Sequence, residues 1–101
     1  METIDKNTPV KREATQSSPS IYANNAEINV TTWDFRFRFG EIETLSPQAI
    51  TVAERVRVVM SPQHAKVFSR VLAENIAKYE QAFGEIAVEG LEDAKEKKTT
   101  Q

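Results

Sequence analysis

Residues 31–42 read TTWDFRFRFGEI. Aromatic and charged side chains alternate there, and the reading of that alternation decides the fold. Trp33, Phe35, Phe37 and Phe39 share one parity, while Asp34, Arg36 and Arg38 share the other. A strand turns successive side chains to opposite faces. The aromatics then form a dry face and the arginines a wet one. This separation argues against a stacking surface for nucleic acid, which needs aromatics and arginines on one side.

Upstream, Tyr22, Ala26, Ile28 and Val30 hold the opposite parity. The phase changes near Thr31–Thr32, which implies a bulge or turn there. We expect strands over about 22–30 and 33–39, with Gly40 ending the second. EIETLSPQ (41–48) reads as loop, with Ser46-Pro47 initiating a turn. A third strand is expected over 50–60, where Ile50, Val52, Val56, Val58 and Met60 share a face. Glu54 interrupts that apolar parity, and Arg55 and Arg57 lie opposite it.

The spacing then changes to that of a helix. Ser61 suits an N-cap, and Pro62 suits the first helical position, where its missing N–H costs nothing. Ala65, Phe68, Leu72, Ile76, Tyr79 and Phe83 recur every three or four residues. Gly84 supplies the stop, and Ile86 is placed to fold back on the last turn.

The flanks differ in composition. Residues 1–20 are polar, with cancelling charges, and cannot bury enough apolar area to order themselves, so we expect a disordered tail. Residues 89–101 read as a charged flexible tail, with 91–98 able to extend a frayed helix. One domain spans 21–88. Its predicted fold class is α+β: a three-stranded antiparallel sheet (β-β-β-α) with one long C-terminal helix packed on it.

Composition narrows the function. The chain has 101 residues, 13 basic and 15 acidic, for a net charge of -2. That balance disfavours nucleic acid as the main partner. No cysteine is present, which excludes thiolate chemistry and disulfides. The first 20 residues lack the apolar core of a signal peptide, and no apolar run reaches spanning length. We expect a cytoplasmic protein without membrane insertion. The glycines are Gly40, Gly84 and Gly90, so no phosphate-binding loop exists. His64 is the single histidine, and its neighbour Ser61 is more simply a cap than a nucleophile. Glu41 and Glu43 flank Ile42 without the spacing of a calcium loop. No catalytic, metal or cofactor site is expected, and the chain reads as a non-enzyme.

Two surfaces remain. Trp33, Phe35, Phe37, Phe39, Phe68 and Tyr79 form a candidate interface, because one helix is thin cover for so many aromatics. A dimer or higher homo-oligomer would cover the remainder. Arg36, Arg38, Arg55 and Arg57 form a candidate anion patch if all four share the outer face.

The segments YANNAEINVTTWDFRFRFGEI, MSPQHAK and LAENIAKYEQAFG together resemble a small bacterial family, domain of unknown function 3467, over about residues 21–86. The resemblance implies no activity and carries no catalytic residues. In element order and size alone the chain is also similar to SecB-like export chaperones. The leading expectation is a non-catalytic, oligomeric protein-binding or assembly module. The alternatives are a SecB-like holdase for unfolded chains and nucleic-acid binding through the arginine-lined sheet face.

Overall fold

Thr31 and Asp34 close the first hairpin. The Thr31 N–H donates to the Asp34 carbonyl at 2.9 Å. The Thr31 hydroxyl accepts from the N–H groups of Trp33 and Asp34, both at 3.1 Å, and donates to the Asp34 carboxylate at 3.0 Å. Short polar side chains stabilise turns in this way by bonding the backbone just ahead of them. The turn joins β1 (Asn25–Val30) to β2 (Phe35–Leu45) in an antiparallel pair. A second turn, with the Ser46 N–H donating to the Ala49 carbonyl at 3.0 Å, leads into β3 (Ile50–Met60), antiparallel to β2. The helix α1 (Pro62–Phe83) follows. This computed structural model describes residues 3–15 and 17–88, and the backbone of 96–100.

The three-stranded antiparallel sheet and single following helix match the expected α+β arrangement. The strand limits differ. The first strand starts at Asn25 rather than 22, and Tyr22 is exposed. The second starts at Phe35, because 31–34 are committed to the turn, and it continues through Gly40 to Leu45. Gly40 does not end this strand. A Cβ there would lie 2.6 Å from both the Ala53 carbonyl oxygen and a Val52 methyl, so glycine permits close strand approach. Of residues 91–98, expected as a possible helix extension, 91–95 lie outside the described residues and 96–98 belong to a strand instead. Residues 96–100 form β4, parallel to β1, which gives the order β3-β2-β1-β4. Residues 3–15 and 17–23 form no helix or strand, and their side chains are exposed.

The helix ends follow local chemistry. The Ser61 hydroxyl accepts from the His64 N–H at 3.1 Å, with Pro62 at the first position. Gly84 adopts φ +98°, and its N–H donates to the Glu80 carbonyl at 2.9 Å. The Ile86 N–H donates to the Glu80 carboxylate, also at 2.9 Å.

The core is small. Among the described residues, the buried apolar side chains are Phe37, 8% exposed, and Ala65, 6% exposed. Phe68 meets Phe37 edge-on, with ring centroids 6.1 Å apart. The helix therefore meets the sheet through its first two turns, and every residue from Lys66 to Tyr79 is exposed. No helix among the described residues is long and apolar enough to cross a membrane.

Candidate functional site

Register assigns the two sheet faces. Opposed residues in an antiparallel pair point the same way. Ala26, Ile28 and Val30 oppose Phe39, Phe37 and Phe35, which in turn oppose Val56, Val58 and Met60. Across β1, β2 and β3, one half of one face is thus apolar. The rings of Phe35 and Phe39 lie 6.5 and 6.1 Å from that of Phe37, which places Phe37 at the centre of the row.

Two expected members of the aromatic interface lie elsewhere. Trp33 stands at the hairpin tip, 83% exposed, because it belongs to the turn and not to the strand. Tyr79 lies far along the helix, with its ring 4.9 Å from that of Phe83. Phe68 is the helix aromatic that reaches the strand row.

The arginines divide as well. Phe39 opposes Val56 and Gly40 opposes Glu54, so Arg55 is an extra residue in β3. Such a bulge shifts the alternation of everything beyond it. Glu54 therefore moves from the apolar parity to the outer face, where it accepts from Arg38 Nε and Arg57 Nε, each at 2.6 Å. Val52 moves with it and lies beside Gly40. Arg55 leaves the outer face and reaches Glu41 at 3.1 Å. The expected patch of four arginines is thus a group of three, Arg36, Arg38 and Arg57, bordering an open depression with Asn29, Thr31 and Val59.

Each of these three has a carboxylate partner. Arg36 meets Asp34 at 3.2 Å, and Arg38 reaches Glu27 at 3.8 Å in addition to Glu54. Three guanidinium groups face three carboxylates, so the local field is close to neutral. The hydrogen bond from Arg57, followed by that from Arg38, holds the Glu54 carboxyl below the ordinary glutamate range. The hydrogen bond to Glu54 raises the Arg38 guanidinium further above its already high value.

Alternation placed Asp34 on the wet parity with Arg36 and Arg38, and put Glu54 on the apolar one. Glu27 and Glu41 were not anticipated as partners. Glu27 was accessible to reasoning, since it lies between Ala26 and Ile28 on the wet parity. Glu41 was not, because its pairing depends on the bulge. Glu43 is itself the surplus residue at a second irregularity, between Ile42 and Thr44. His64 is exposed in the first helical turn, where its N–H serves the cap. Among the described residues no group of three His, Cys, Asp or Glu side chains gathers to hold a metal.

A family model described as protein of unknown function (DUF3467) matches residues 1–88. The chain belongs to this family. No curated protein and no solved structure matches this DUF3467 chain. What its geometry offers is an apolar half-sheet, an exposed helix stripe continuous with it through Phe68, and a charge-balanced outer face.

Proposed function

We propose that this DUF3467 protein is a non-catalytic, cytoplasmic, homo-oligomeric module that binds protein, beginning with copies of itself. The observation that carries the reading is the small amount of buried apolar side chain: Phe37 and Ala65 are buried, while Val58, Leu72 and Ile76 are exposed. Apolar burial is the dominant favourable term in folding. A domain of this size with so little of it gains from association. Contiguous exposed apolar patches are characteristic of interaction sites. Light scattering at micromolar concentration tests the reading. A dimer mass or higher is expected, and a monomer of 11.4 kDa would dismiss it.

One observation favours a second reading, the SecB-like holdase. Trp33 is held on the outermost turn with its indole in solvent, available to a client chain. Under that reading an unfolded protein shields Trp33 from acrylamide; unchanged quenching removes Trp33 as a client contact. The nucleic-acid reading lacks comparable support, because the arginines that would hold phosphate are engaged by carboxylates.

A further inference from the structure

β3 ends the strand order β3-β2-β1-β4, so among the described residues no strand lies beyond it. In an antiparallel pair, residues that exchange hydrogen bonds with the neighbour alternate with residues that turn away from it. Thr31 bonds Asp34, so the alternation gives Arg36 and Arg38 to β1. The Ile42 N–H, which donates to the Asn24 side chain at 2.8 Å, keeps the same alternation. Phe35, Phe37 and Phe39 then bond β3 at Met60, Val58 and Val56, and past the bulge Glu41 bonds Ala53. The backbone groups of Val52, Glu54, Arg57 and Val59 are left facing the open edge. The bulge at Arg55 does not disturb their spacing, because Glu54 and Arg57 oppose Gly40 and Arg38, two residues apart on β2.

The four side chains share the outer face of the sheet. Val59 and Arg57 oppose Arg36 and Arg38, while Glu54 and Val52 oppose Gly40 and Ile42. Along the edge they read valine, glutamate, arginine, valine, a pattern that complements itself when reversed. We infer that the β3 edge is a homodimer seam, to which β3 of a second copy adds antiparallel across a two-fold axis between residues 55 and 56. The inference rests on the homo-oligomeric reading above and names its surface and register. The axis sets Glu54 against the partner's Arg57 and Val52 against the partner's Val59, each pair occurring twice, as a self-complementary interface requires. A slip of one bonded pair sets Glu54 against the partner's Glu54 in one direction, and Arg57 against the partner's Arg57 in the other. Like charges directly opposite are destabilising, so charge selects the register. Arg57 bonds its own Glu54 through Nε and its side chain is 71% exposed, which leaves donors for a second carboxylate.

An open edge is a template for an added strand, and the four bonded pairs supply about eight backbone hydrogen bonds. Opposed residues share a face, so the aromatic rows of both copies fall on one side of a continuous sheet. Val58, 38% exposed at the end of its row, then meets the partner's Ala53.

Disulfide trapping tests the register on a background without cysteine. Opposed bonded residues have Cα atoms about 5.5 Å apart, within disulfide range. A mixture of full-length Val52→Cys and Val59→Cys chains is expected to link on oxidation. Val52→Cys alone is not, because the axis holds those two positions about 20 Å apart along the strands. Val59→Pro removes an N–H that faces the open edge, where proline is tolerated, and leaves the bonds to β2 in place. The axis counts that loss twice, so the dimer is expected to weaken about tenfold in light scattering. A dimer mass with no mixed link, with self-linking at Val52→Cys, or with undiminished association of folded Val59→Pro overturns the seam and leaves the oligomer reading standing. Where Val59→Pro does not fold, the cysteine pattern decides alone. A monomer mass for the unmodified chain overturns both.

Discussion

Glu54 is one carboxylate shared by two guanidinium groups, from Arg38 and Arg57. Both favour its ionised form, so its folded value is depressed relative to the unfolded chain. The sign of the linkage follows. The stabilisation is fully present above the unfolded carboxylate range and is lost as pH falls through the depressed folded value. Glu54→Gln removes the charge while keeping the shape. The variant is expected to be less stable than the parent at pH 7, with the gap closing on acidification. Urea midpoints for both proteins across that range check this, and a gap independent of pH would exclude Glu54 as the shared acceptor. The position of Glu54 was not legible in the sequence. Parity counts residues one at a time, and an inserted residue such as Arg55 is invisible until the partner strand is known. Where no insertion intervenes, from Phe35 to Phe39, alternation assigned the faces of Phe37, Arg36 and Arg38 as the structure has them.

Elements with local signals were readable to the residue. Ser61-Pro62 and Gly84 bound α1 because a capping hydroxyl, a missing N–H and a positive φ act within one turn of the chain. Ser61→Ala removes the acceptor for the His64 N–H and is expected to cost about 1 kcal/mol. Thermal or urea unfolding measures it, and Ser61→Asp is expected to retain stability. An equal loss in both variants would show that the hydroxyl does not act as the cap. The second half of β2 was not readable in this way. EIETL has the composition of a loop, and it is a strand only because β3 pairs with it beyond the bulge. Likewise EKKTT has the composition of a tail, and its pairing with β1 is a long-range fact. The aromatic row was legible, but the extent to which the helix covers it was not. Stripe spacing marks which side of a helix is apolar, not what meets it.

At the scale of the whole molecule, Phe37 and Ala65 are the buried apolar side chains among the described residues, while Val71, Leu72, Ile76, Tyr79 and Phe83 of the helix stay exposed. That exposure has a physical resolution if the folded unit contains more than one chain. Stability is then inseparable from concentration, because association adds to the native state and not to the unfolded one. Each tenfold dilution lowers the stability of a dimer by about 1.4 kcal/mol. For a cooperative unit of two such chains, that corresponds to a fall in Tm of about 2–4 °C. Scanning calorimetry or near-ultraviolet circular dichroism across a hundredfold range of protein concentration is expected to show twice that shift. A Tm that does not move with concentration would mean that Phe37, Ala65 and the strand ladder suffice, and that the exposed helix stripe is tolerated by a monomer.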